Sequence, residues 1–173
     1  MKTATWAFVA LYLAAIIAAN QIIAYYGPPA VIYVAFFLIG LTLVVRDRLH
    51  DAFADQRLVK MAALIAAGSI LSYVLNADAG RIALASFLAF AAAETSDALL
   101  YHTMRGRAWM ERSNASNVIG AALDSIVFVT VAFGWSWTII FGQFTAKVAG
   151  GLLFSFLLAR RVRAPRGLLA RDA

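Results

Sequence analysis

Six apolar runs, parted by short polar or basic breaks, fill most of this chain. They cover about 5–26, 29–45, 59–75, 82–101, 116–133 and 137–158, and a basic tail follows over 159–173. Crossing a bilayer takes roughly 20 mostly apolar residues at ~1.5 Å rise each, and every run approaches that length. The pattern predicts an all-α membrane protein with six transmembrane helices in one bundle. The whole of 1–173 is a single integral membrane domain. Gly27-Pro28-Pro29 separates the first two helices, since a proline suits a helix start and breaks what precedes it. Asn76-Ala77-Asp78-Ala79-Gly80 is the turn before the fourth. The first run follows Lys2 as a signal peptide would, but it continues to Tyr26 and is read as a retained helix.

The informative positions are those where this pattern fails. Glu94 and Asp97 interrupt the fourth helix, Asp124 the fifth and Lys147 the sixth. A charge at membrane depth is costly unless it faces protein or water. Counting from the flanking arginines, Asp124 lies about 18 Å beyond Arg112, Lys147 about 20 Å before Arg160 and Glu94 about 16 Å before Arg105. Three helices thus bring ionisable groups to nearly one level, close to the midplane, where transporters commonly hold their substrates. Asp97 is nearer the cytoplasm.

Composition supports the membrane reading. The chain is 63% hydrophobic and 14% charged, with a mean hydropathy of +0.79, outside the range of soluble domains. No cysteine is present, which excludes disulfides and thiolate metal sites. His50 and His102 alone make no zinc cluster, so neither metal nor cofactor is expected. The net charge of +6 follows topology and points to no nucleic acid. Lys2, the group Arg46, Arg48, Arg57 and Lys60, the group Arg105, Arg107 and Arg112, and the tail arginines fall on one side. Arg81 alone lies on the other. The excess of positive charge places both termini in the cytoplasm. Trp135 and Trp137 then mark the outer interface.

Each candidate has a plain alternative. Glu94 and Asp97 are three residues apart and share a face; they recognise a ligand or carry a proton, or else they are tied up inside the bundle. Asp124 and Lys147 form part of a pocket or a structural ion pair. Gln143, one turn before Lys147, offers donors to a ligand carbonyl. Asn117 lies two turns before Asp124 on one face, whereas Ser113 or Asn114 suits an N-cap. Asn20 belongs to an outer gate or to a contact between helices. Asp47 and Asp51 form a cytoplasmic gate or a solvated turn. Ala10, Ala14 and Ala18 give the first helix a small-residue face for packing in the bundle or for docking a partner subunit. No Gly-x-Ser-x-Gly, His-Glu-x-x-His or paired-aspartate phosphotransfer pattern is present, so the chain is read as no enzyme.

The run Arg112-Ser113-Asn114-Ala115-Ser116-Asn117, followed by Leu123-Asp124-Ser125 and Phe128, resembles a motif of the queuosine precursor transporter family, also called the VUT or YhhQ family. Ser86, Ala89, Asp97 and Arg105 match that family's preceding helix, and Asp47 and Asp51 its acidic motif after the second helix. Asn20 matches an asparagine in its first helix and Lys147 a lysine in its last. The likeness runs in order along nearly the whole chain and is most specific from Ser86 to Phe128. Asn117 replaces the motif threonine and Ala121 the motif glutamine.

The resemblance implies a six-helix fold similar to the substrate-binding subunits of energy-coupling-factor vitamin transporters. It implies import, across a bacterial inner membrane, of the cyano or aminomethyl 7-deazaguanine precursors of queuosine. An alternative is a binding subunit that needs a separate energy-coupling module; self-association is a further option. A deazaguanine carries an N–H and an amine side by side, which one carboxylate can accept together. Its carbonyl calls for a donor such as Asn117, Gln143 or Lys147. Its flat ring calls for an apolar slot, with Phe87, Phe90, Tyr101 and Phe128 as candidates. The pocket is expected between the first, fourth, fifth and sixth helices.

Overall fold

The computed structural model describes residues 3–53, 56–103 and 109–161, and, within these, no side chains for 3–4, 57, 97–98, 100–103, 109–117 and 158–161. All regular structure among the described residues is helical. Six helices follow one another: α1 (Thr3–Tyr26), α2 (Pro28–Phe53), α3 (Arg57–Leu75), α4 (Gly80–Thr103), α5 (Trp109–Phe133) and α6 (Trp137–Arg161). Four contain spans long and apolar enough to cross a membrane: Thr5–Tyr26, Pro28–Phe53, Leu58–Leu75 and Trp137–Leu157. Among the described side chains of α5 the apolar stretch is Val118–Phe133. α4 and α5 carry acids and hydroxyls, groups that need a protein interior or water at membrane depth.

Three boundaries differ instructively from expectation. α2 does not stop at 45 but runs to Phe53. Val45, Leu49 and Phe53 are buried, so one face continues the helix inward while Asp47, Arg48 and Asp51 face out. α5 starts at Trp109, not 116. Ser113 and Asn114 therefore lie inside the helix rather than at its start. A hydropathy criterion stops at Glu111 and Arg112, although both are good helix formers. α6 continues to Arg161.

The turns follow local chemistry. Gly27 takes φ 69°, a left-handed value glycine reaches without strain, and its N–H bonds the Ile23 carbonyl at 2.8 Å. Pro28–Ala30 then forms a single 3-10 turn at the head of α2. Gly134, φ 91°, closes α5 beside the edge-to-face pair Trp135–Trp137, centroids 4.9 Å apart. Before α4, the Asn76 side chain accepts from the Asp78 N–H at 3.0 Å.

The α4–α5 hairpin is the most closely packed pair; α1 packs on α2 and α3, and α6 on α2 and α5. One buried cluster joins Ile23, Val31, Ala85, Phe128, Val129 and Ile140; a second joins Tyr12, Ile16, Val45, Leu49, Met61 and Ile65. Large apolar side chains also point outward, among them Ile70, Val74, Leu152 and Phe156. An outside as apolar as the inside is what a lipid solvent requires. Helix association then rests on small residues and polar contacts. Glycine supplies the closest contact. A Cβ on Gly40 would stand 2.7 Å from the Gly150 carbonyl carbon, and one on Gly150 would collide with the Phe36 carbonyl oxygen. α2 and α6 thus touch backbone to backbone. Here α2 also widens into a π segment, Ala35–Ile39, a device often found beside functional sites. Thr42 Oγ1 donates to the Ile39 carbonyl at 2.8 Å as the α-helix resumes.

Candidate functional site

A cavity of about 370 Å³ opens inside the bundle, toward the small end of the range for ligand pockets. Its apolar walls include Ile16, Val34, Phe90 and Phe128, and its polar lining includes Asn20, Ser86, Asp124, Gln143 and Lys147. α1, α4, α5 and α6 contribute as expected. The second helix was left out of that expectation, yet α2 lines the cavity from Val31 to Asp47. The π segment and the close α2–α6 contact bring it there.

At the centre, Lys147 Nζ donates to Asp124 Oδ2. It also lies 3.4 Å from Ser125 Oγ, whose hydroxyl in turn donates to the Ala121 carbonyl at 2.8 Å. The two charges differ in exposure: the Lys147 side chain is 3% accessible and that of Asp124 25%. The ammonium is sealed in protein, and the carboxylate opens on the cavity. Burying either charge alone would be prohibitive, so the pair explains how each is tolerated. It leaves carboxylate lone pairs over for a ligand.

Gln143 sits one turn before Lys147 on the same face of α6 and is buried. Its Oε1 has no hydrogen-bond partner among the described residues. An unsatisfied buried amide costs about 1–3 kcal/mol, and this one lines the cavity.

Asn20 is also buried, but its amide is spent. Nδ2 donates to Ser72 Oγ at 3.0 Å, and Oδ1 accepts from Ser86 Oγ at 2.8 Å. Asn20 therefore clasps α1 to α3 and α4 at the cavity wall.

Glu94 is paired separately. Arg46 Nη1 lies 3.3 Å from Glu94 Oε1, and His50 Nε2 lies 3.9 Å from it. Arg46 lines the cavity whereas Glu94 does not. Sequence reasoning missed Arg46 by counting it among loop cations. Its signal was its spacing, four residues from Thr42 and four from His50, on one face of a helix longer than expected. Tyr12, buried on α1, also lines the cavity.

Asp47 and Asp51 are exposed, and Asp47 reaches the cavity lining. Phe87 packs in the second core cluster rather than lining the cavity. Asp97 and Asn117, together with Tyr101 and Arg105, lie outside the residues described at this level. On α1, Ala10 and Ala14 are exposed and Ala18 is partly so; the first two are not used for packing within the bundle.

A helical bundle with lipid-length spans, holding paired charges around an internal cavity, has the architecture of a membrane transport protein. Residues 3–160 match the family model described as "Putative vitamin uptake transporter". The chain belongs to this vitamin uptake transporter family. No curated protein and no solved structure matches the chain.

Proposed function

We propose that the chain imports a 7-deazaguanine precursor of queuosine, or a closely related purine-like base, across a bacterial inner membrane, with both termini in the cytoplasm. The family is that of an uptake transporter, and the motif residues around Asp124 favour a deazaguanine within it. The observation that carries the reading is the cavity in which the Asp124 carboxylate and the Gln143 amide stand available together. Asp124, its charge balanced by Lys147, accepts the adjacent N–H and amine of the base, the unpartnered Gln143 Oε1 accepts its remaining ring N–H, and Phe90 and Phe128 flank the ring. These bonds replace those the base gives up to water. Asp47 and Asp51, at the exposed end of α2, serve as the gate.

The test is a thermal-shift panel on purified protein with purines, deazapurines and vitamins. Deazaguanines should raise the melting temperature in a concentration-dependent manner. A shift with a vitamin of different chemistry, and none with deazaguanines, refutes the assignment.

A second reading has one observation in its favour. Ala10 and Ala14 present a small-residue face that the bundle leaves uncovered. On that reading the chain is a substrate-binding subunit, and a separate energy-coupling module docks on α1. Uptake by the purified chain alone in vesicles excludes it.

A further inference from the structure

The cavity lining changes along the bundle axis. Toward the far ends of α2 and α6 it includes the exposed residues Asp47, Leu152 and Ser155. Toward the α1–α2 turn it ends on Ile23, Val31 and Phe128, each 5% accessible or less. Ile82, Ala132 and Ile140 continue the same buried cluster beyond the lining. Those three lie within about one helical turn of the α3–α4 or α5–α6 connection. The cavity is therefore open at one end and shut at the other by a dry layer drawn from five helices. A polar heterocycle crossing that layer would give up its hydrogen bonds to water without replacement. A dewetted apolar constriction acts as a gate, and this one must part before a ligand can pass.

Within the layer, the first part of α2, residues 28–39, is marked off at both ends. Gly27 turns the chain at φ 69°, and the π segment Ala35–Ile39 interrupts the α-helix. Just beyond it, Gly40 meets Gly150 backbone to backbone, a fixed point about which the preceding residues can pivot. Ile32 rests on α6 where a glycine leaves room: a Cβ on Gly142 would stand 2.7 Å from Ile32 Cδ1. We propose that residues 28–39 are a lid that hinges at the π segment, latches through Ile32 on Gly142 and carries Val31 into and out of the dry layer. It closes the cavity at the end opposite Asp47. The proposal goes beyond the import reading and rests on it for the passage of a ligand.

The chain has no cysteine, so an introduced pair reports alone. Ile32→Cys with Gly142→Cys is oxidised in cells that cannot make the base, and uptake of labelled 7-cyano-7-deazaguanine is followed before oxidation, after it and after reduction. The disulfide should form, uptake should fall at least about tenfold, and reduction should restore it. The oxidised protein, once purified, should still show a thermal shift with the same base, which enters from the open end. Undiminished uptake by the cross-linked protein, or no disulfide on oxidation, overturns the lid. Hydrogen–deuterium exchange of the wild type in lipid nanodiscs tests it without any variant. Amides of residues 31–39 should exchange at least about tenfold faster than those of 138–146 at the matching end of α6. Equal protection overturns the lid, and this result decides if the reduced pair does not transport. No uptake by the wild type overturns the import reading, and the exchange measurement then judges the lid separately.

Discussion

Lys147 reaches across from α6 to Asp124 on α5 with its ammonium sealed in protein and the carboxylate open to the cavity. An ion pair kept only for structure has no need of that asymmetry, because both ends could be buried or both exposed. Removing one partner strands the other. Asp124→Ala should lower the stability of the detergent-solubilised protein by about 3–5 kcal/mol and abolish binding. The apolar replacement of both, Asp124→Leu with Lys147→Met, should regain most of the stability and none of the transport. Thermal unfolding and uptake measured side by side check this. A double variant that transports like wild type would make the pair purely structural.

Gln143 should behave in the opposite sense. Its amide is buried with an unsatisfied acceptor, so Gln143→Leu should leave the melting temperature of the empty protein unchanged or raise it. Ligand affinity should nonetheless fall at least about tenfold, which corresponds to ~1.4 kcal/mol. Melting curves with and without ligand report both effects together.

Asn20 lies close by yet has a different role. Its amide bonds Ser72 and Ser86, so Asn20→Leu should destabilise the fold by about 1–3 kcal/mol, as the Ser86 hydroxyl loses its acceptor and Ser72 Oγ, which still donates to the Gly68 carbonyl, loses a donor. The affinity of the protein that remains folded should change little. A variant with normal stability and lost binding would show that the amide instead serves the ligand.

The glycine contact between α2 and α6 gives a purely steric prediction. Gly150→Ala drives a methyl into the Phe36 carbonyl, and overpacking costs about 1–3 kcal/mol. Gly134→Ala also forces an unfavourable φ, but it meets no neighbour within 4 Å. Gly150→Ala should therefore be the more damaging to ligand binding, because it moves a cavity wall. Binding and melting curves of the two variants decide.

These cases show what could be read from sequence. Asp124, Lys147 and Gln143 stood out because lipid penalises them, and helical spacing alone set Gln143 and Lys147 on one face. The number and order of the helices followed from the apolar runs. Arg46 escaped because a cation at the end of an apolar run looks like a loop residue until the helix is known to continue to Phe53. Its partnership with Glu94 depends on the angle between α2 and α4. The Gly40–Gly150 contact was equally hidden, since a glycine states that a close approach is allowed and not which helix makes it. Asn20 was visible as a polar residue in lipid, but whether its amide faces ligand or protein is decided by Ser72 and Ser86, far away in the chain.

The most direct test of the import assignment is uptake of labelled 7-cyano-7-deazaguanine by cells that cannot make the base, expressing either this chain or its Asp124→Leu, Lys147→Met variant at equal membrane levels. Accumulation with the wild type and none with the variant is the expected result. Equal accumulation with both, or none with the wild type, would contradict it.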